Sequence, residues 1–262
     1  MVSLILPIYQ AEAFLRTNLE RLAQYVADTP SIQEIILVND GSQDDTHEII
    51  EQFLAQSPST DRFQYILLKQ NRGKGTAIKE GVRLAKGQFL IFTDCDLPYA
   101  FENIDNVIAH LVNQKAHFVV GNRMHPDSTY HIRPQNLSYI YIRHTGGRFY
   151  NWMINQITRL NLADTQAGLK GFDRETATLC FDKMTINGFA FDVDLLVCAQ
   201  ANNRQILSVP LTFYYESEMG MGNFVKNTLL MSLSLFCIVF KKWTGFYLKA
   251  APHSPSITQE AE

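Results

Sequence analysis

The sequence predicts an α/β protein with a mainly parallel central sheet flanked by helices. Short apolar runs alternate with amphipathic stretches, and a polar cluster follows each of the first four runs. The 262 residues, 46% apolar and 19% charged, suit one large domain with a real core.

Val2–Leu6 reads as a buried strand closed by Pro7, and Phe14–Val26 carries Phe14, Leu15, Leu19, Leu22 and Val26 at helical spacing. Glu34–Asn39 is a second strand, and Asp40-Gly41-Ser42 a turn. Asp45 with Glu48 three residues on forms a capping box for a helix through Ile49, Ile50, Phe53 and Leu54. A third strand is expected at Gln64–Leu68, a helix at Thr76–Ala85 and a fourth strand at Gln88–Thr93. A helix at Ile104–Leu111 and a strand at His117–Val120 follow.

In parallel sheets ligands bind beyond the C-terminal ends of the strands. Pro7-Ile8-Tyr9, Asn39-Asp40-Gly41-Ser42, Asn71-Arg72-Gly73-Lys74-Gly75 and Asp94-Cys95-Asp96 all fall on that rim. The last cluster closes the run Phe89–Phe92. In an extended backbone, residues two apart point the same way, so Asp94 and Asp96 can converge on one ligand. Two such carboxylates need a cationic partner, and Mg²⁺ or Mn²⁺ shared with a diphosphate is the natural one; the alternative is a solvated turn. Gly73-Lys74-Gly75 fits neither nucleotide-loop pattern: Ile78 stands where a dinucleotide fold wants glycine, and Gly75 where a P-loop wants a hydroxyl. It reads either as an anion-binding helix start with Lys74 beside it or as a tight turn.

A net charge of −3 argues against nucleic acid as a partner. Cys95, Cys180, Cys198 and Cys237 are scattered, which argues for a reducing compartment and against a zinc site or disulfide framework. No leader is expected at the N-terminus. Leu229–Phe240, flanked by Lys226, Lys241, Lys242 and Trp243, forms a C-terminal apolar helix. Twelve helical residues reach about 18 Å, short of the ~30 Å hydrocarbon core, so the segment lies in a membrane interface or packs on the domain or a second subunit.

The clusters Pro7-Ile8-Tyr9-Gln10, Val38-Asn39-Asp40-Gly41-Ser42, Asn71-x-Gly73-Lys74-Gly75, Asp94-Cys95-Asp96 and Gly121-Asn122-Arg123 together resemble the family 2 glycosyltransferases of the GT-A fold. The resemblance implies a nucleotide-sugar donor and a divalent metal. It places Pro7, Tyr9 and Asp40 in the nucleoside pocket, Asp94 on the nucleotide side and Asp96 on the metal. Ala11 stands where the family often has an acid, and Glu12 is the substitute. Asp164–Phe172 and Gly188–Leu196 resemble polyprenyl- and dolichyl-phosphate sugar transferases, the β-glucosyl type above all. Pro98 replaces a metal-assisting glutamine of some mannosyl enzymes, and Glu216–Gly222 lacks the family's basic stretch.

Lys170 is read as facing a phosphate or as a solvated lysine, and Gln166 in the same stretch as binding substrate. Of the surrounding arginines, Arg123 and Arg143 are assigned to phosphate and Arg148 to structure, with Arg133 nearby. The expected reaction is inverting transfer of a hexose, glucose, from a UDP-sugar to a polyprenyl phosphate, with Asp94, Asp96, Asp192 and Arg123 as the reactive set. If the acceptor were a hydroxyl in polysaccharide synthesis, Asp192 or Asp194 would be the base. A non-catalytic nucleotide-sugar-binding protein is the third reading. The expected organisation is a transferase domain over 1–215, a helical segment over 216–250 and a tail over 251–262. The chain is expected at the cytoplasmic face of a membrane, with homo-oligomers left open.

Overall fold

The computed structural model describes residues 1–56, 61–132, 137–188, 190–215 and 233–248; for 132, 137–145 and 215 it describes the backbone alone. The tail and Glu216–Gly222 lie outside the described residues, as do Arg133 and the side chain of Arg143.

The elements are β1 (Val2–Ile8), α1 (Leu15–Ala27), β2 (Ile32–Asn39), α2 (Thr46–Gln56), β3 (Phe63–Leu67), α3 (Lys74–Leu84), β4 (Phe89–Phe92) and α4 (Phe101–Val112). There follow β5 (Phe118–Asn122), β6 (Thr129–Ile132), α5 (Leu137–Thr158), β7 (Lys170–Asp173), α6 (Arg174–Lys183), α7 (Phe191–Ala201), β8 (Ile206–Pro210) and β9 (Thr212–Tyr215). Residues 233–243 form a further helix, α8. Seven strands make one sheet in the order β3-β2-β1-β4-β7-β5-β8, and β6 pairs with β9 beside it. Within the large sheet β7 runs antiparallel to both neighbours, while the other pairs are parallel.

The inner strands are apolar on both faces because both faces are covered. In β1, Leu4, Leu6 and Ile8 join one core with α1, α2 and α4, whereas Ile5 joins the other with α3, α6 and α7. Ile35 and Leu37 against Ile36 and Val38 in β2 divide the same way, as do Ile91 against Leu90 and Phe92 in β4.

Three local readings are corrected. β1 does not stop at Pro7 but runs to Ile8. β4 pairs with β1 only over Val2–Ile5, and Ile5 O points to the β4 side by accepting from Thr93 N. Pro7, two residues on, faces the same side after β4 has ended, so its missing N–H removes no ladder bond. The Asp45 amide is bound by Glu12 Oε2 (3.1 Å) instead of Glu48. α3 begins at Lys74, not Thr76, which places the lysine in the first helical turn.

The described part of the C-terminal segment is packed on the domain. Leu235, Ile238 and Tyr247 are buried in the same core as α5 and α7, and Lys242 Nζ donates to Thr158 O (2.5 Å) and Gln200 Oε1 (2.8 Å). The opposite face of α8 exposes Leu233, Phe236, Phe240 and Trp243, spaced as one helical stripe. Phe149 and Trp152, stacked on each other, are exposed on α5. No described helix is long and apolar enough to cross a membrane.

Candidate active site

The site forms where the ends of β1, β2 and β4 meet the start of α3 and the first turn of α7. Asp40, after β2, is buried and accepts hydrogen bonds from the amides of Arg72 (2.9 Å) and Gly73 (2.8 Å). Burial nevertheless raises its pKa above the usual carboxylate value, because those two amides and Arg72 only partly offset it. Gly73 has φ +95°, and a Cβ there would lie 2.6 Å from Asn187 O, so the turn tolerates no side chain. Tyr9 is exposed just after β1, Pro7 is buried in β1, and Glu12 caps the start of α2 through Asp45.

Asp94 follows β4, but the backbone there is not extended. Leu97 N bonds to Asp94 O (3.1 Å), and Leu97 has φ +45°, so Asp94–Leu97 is a tight turn. The same-side argument of an extended strand therefore does not apply to Asp94 and Asp96. What gathers the carboxylates is Lys74. Its ammonium ion-pairs with Asp94 Oδ1, and Asp192 and Asp96 also act on its charge. Burial pulls the Lys74 pKa down, but Asp94 and Asp192 outweigh it and hold it above the ordinary value. The other oxygen, Asp94 Oδ2, lies against Gly168, where an added Cβ would come within 2.0 Å of it.

Asp192, in the first turn of α7, is buried and ion-pairs with Lys170 Nζ at 2.7 Å. Lys170 opens β7 and has no solvent exposure; its ammonium also donates to Ala167 O (2.6 Å). Burial raises the Asp192 pKa and lowers that of Lys170, each opposed by the partner's charge. Lys170 thus meets a carboxylate where the sequence reading had it facing phosphate.

Arg123, after β5, is held by Asp164: Nε to Oδ2 at 2.7 Å and Nη2 to Oδ1 at 3.0 Å, with the Arg123 amide also on Oδ2 (3.0 Å). Asp164 is buried, which favours its neutral form, yet Arg123 outweighs this and lowers its pKa to about 2. The same carboxylate accepts the Gln166 amide at 3.0 Å. Tyr99 OH accepts the Gly168 amide (2.7 Å), tying this loop to the segment after Asp96. Arg148 is exposed on α5.

Asp194 is no base. Its Oδ2 accepts the amides of Thr185 (2.8 Å) and Ile186 (3.1 Å), and its Oδ1 the Tyr247 hydroxyl. Sequence reasoning missed this role, the Asp164 clamp and Tyr99. Each depends on a partner that no local pattern links to it, as with Arg123 and Asp164, 41 residues apart.

Among the described residues, no group of three or more His, Cys, Asp or Glu side chains forms a metal cage by itself. The arrangement is two lysine–carboxylate pairs, Lys74 with Asp94 and Lys170 with Asp192, beside the start of α3. A divalent ion here would need ligands beyond these carboxylates, such as the oxygens of a bound diphosphate.

A dolichyl-phosphate beta-glucosyltransferase of Dictyostelium discoideum is 28% identical over 220 residues, covering 81% of this chain and 66% of that protein. The Homo sapiens protein of that name is 29% identical over 76% of this chain and 63% of its own length. The chain thus spans a little under two thirds of these relatives. Among solved structures, glucosyl-3-phosphoglycerate synthase from Mycobacterium tuberculosis superposes with a TM-score of 0.66 at 15% identity, covering 92% of this chain and 80% of that one. Mannosyl-3-phosphoglycerate synthase from Rubrobacter xylanophilus gives 0.65 at 15% identity, covering 96% and 77%. The expected GT-A architecture is the observed one. Residues 3–178, which carry β1–β7 and the carboxylate cluster up to Lys170, match the family model described as glycosyl transferase family 2, and the chain belongs to that family.

Proposed function

We propose that the chain transfers glucose, with inversion, from UDP-glucose to a polyprenyl phosphate at a membrane surface, using Mg²⁺ or Mn²⁺. The observation that supports this reading is the Asp94–Lys74 ion pair at the start of α3, with the buried Asp192–Lys170 pair nearby, beside the Arg72 and Gly73 amides held by Asp40. Relatives named for dolichyl-phosphate glucosyl transfer support the acceptor and the sugar. A neighbour of the same fold was crystallised with Mn²⁺ and UDP.

In this reading Asp96 and Asp94 hold the divalent ion, which when bound supplies Lewis-acid stabilisation to the departing diphosphate. Pro7, Tyr9 and Asp40 form the nucleoside pocket. Lys74 stands at the positive end of α3, where the diphosphate binds. Arg123, fixed by Asp164, lines the acceptor side with Gln166. A phosphate acceptor arrives already ionised, so Asp192, neutralised by Lys170, orients the acceptor and need not take a proton. The exposed stripe of α8, with Phe149 and Trp152 on α5, is the face that rests on the cytoplasmic leaflet and brings the lipid phosphate to the site.

One observation favours a second acceptor. Burial raises the Asp192 pKa, as suits a general base toward a hydroxyl. The test of both is a transfer assay with Mn²⁺ or Mg²⁺, labelled UDP- and GDP-sugars and polyprenyl phosphate, run beside Asp96→Ala and Asp192→Asn. Metal-dependent label in the lipid, lost in Asp96→Ala and retained in Asp192→Asn, is the expected result. Transfer only to hydroxyl acceptors, abolished by Asp192→Asn, moves the reaction to saccharides. No turnover of any donor refutes both.

A further inference from the structure

We infer that Lys74 is the built-in counter-ion of the carboxylate cluster, excluding a divalent cation from Asp94 until the nucleotide diphosphate arrives. The inference rests on the metal-and-diphosphate reading above and adds an order of binding to it.

Asp94 has two oxygens, and the structure uses both. Oδ2 is pressed against the backbone of Gly168, with no room for even a methyl group between them. Oδ1 carries the Lys74 ammonium. A cation reaching Asp94 Oδ1 must therefore compete with the lysine. The pair is only about one quarter exposed on each side, 25% and 27%, so water does not screen it as fully as a surface pair. Asp96 and Asp192 add their attraction to the same ammonium.

Lys74 is not needed to start its helix. Gly75 N bonds to Asn187 O (2.9 Å), Ala77 N to Gly73 O (3.1 Å) and Thr76 Oγ1 to Arg72 O (3.1 Å), all without the lysine side chain. A cation in the first turn opposes the helix dipole, so its position is explained by the carboxylates and not by the helix. Charge balance points the same way. Lys74 and Lys170 already pair with Asp94 and Asp192, so a free divalent ion meets carboxylates that are partly neutralised. A diphosphate brings its own negative charge and offers the displaced ammonium a new partner at the α3 N-terminus. Cation and diphosphate together then replace one ion pair by two.

The test measures Mn²⁺ binding directly, by loss of the free-ion electron paramagnetic resonance signal, in the wild type, Lys74→Met and Lys74→Arg. Each protein is titrated without nucleotide and then with UDP, and circular dichroism checks the fold. Without UDP, Lys74→Met is expected to bind Mn²⁺ about two- to fivefold more tightly than the wild type, the range of a partly screened ion pair. Lys74→Arg, which keeps the charge, should still exclude the ion. UDP should tighten Mn²⁺ binding strongly in the wild type and far less in Lys74→Met. Equal Mn²⁺ affinities without UDP, in proteins that both bind Mn²⁺ with UDP, overturn the counter-ion role and leave the donor site standing. Absence of Mn²⁺ binding in every protein even with UDP overturns both.

Discussion

The Asp164–Arg123 clamp gives a stability that can be read by pH. Asp164 is buried, and its pKa falls from the ordinary 3.8 to about 2, because Arg123 outweighs the burial that would raise it. At about 1.4 kcal/mol per pH unit, that drop corresponds to about 2.5 kcal/mol of folding stability at neutral pH. Arg123 is pushed upward by the same pair; this is one free energy seen from the other partner and is not added. The sign follows from proton counting. Between about pH 4 and pH 2 the unfolded chain binds the proton and the folded one does not. The contribution is therefore complete above the unfolded pKa and is lost as pH falls through about 2. Asp164→Asn should cost about 2–3 kcal/mol at pH 7, leaving Arg123 with a neutral partner. It should also remove the corresponding share of the pH dependence between pH 4 and 2. Urea denaturation of both proteins at pH 7, 4, 3 and 2.5 measures this, and the two stability curves should converge toward low pH. Parallel curves with a constant gap would show that the clamp is not held by charge.

Lys170→Met should cost about 3–5 kcal/mol, since it strands the buried Asp192 charge, and Lys170→Met with Asp192→Asn should recover most of it in thermal melts. Gly168→Ala should displace Asp94, because the new methyl would fall 2.0 Å from Oδ2. Calorimetry should show Mn²⁺–UDP affinity down tenfold or more while circular dichroism stays native. Tyr247→Phe removes one donor from the buried Asp194 carboxylate and should lower stability by about 1–3 kcal/mol in urea. Phe240→Asp with Trp243→Asp on the exposed stripe should cut sedimentation with anionic vesicles severalfold and leave the unfolding midpoint nearly unchanged.

The first half of the fold was legible because β1, β2 and β4 are buried on both faces and write that burial as unbroken apolar runs. Glycine and proline punctuated those runs, and the rim clusters followed from parallel topology alone. The second half hid itself for a physical reason. β7 is Lys-Gly-Phe-Asp, with one large apolar residue, and it is a strand only because β4 and β5 flank it on either side. A lysine with no exposure reads in sequence as a surface residue; its burial is paid for by Asp192, 22 positions away. Asp94 and Asp96 were found by their spacing. The turn that carries them, and the lysine that draws them together, belong to the tertiary structure.

Tyr247 also bears on where this chain could be cut. Residues 1–215 hold the whole sheet and look self-sufficient, and 233–248 look like an appendage. Yet the Tyr247 hydroxyl bonds the carboxylate that clasps Thr185 and Ile186, and the next residue, Asn187, holds the Gly75 amide beside Lys74. Leu235 and Ile238 fill the same core as α5 and α7. A fragment ending at 215 would keep every residue of the carboxylate cluster and lose the brace behind the loop that steadies it. The segment behaves as a keystone, set late in the chain and bearing on the loop beside Lys74.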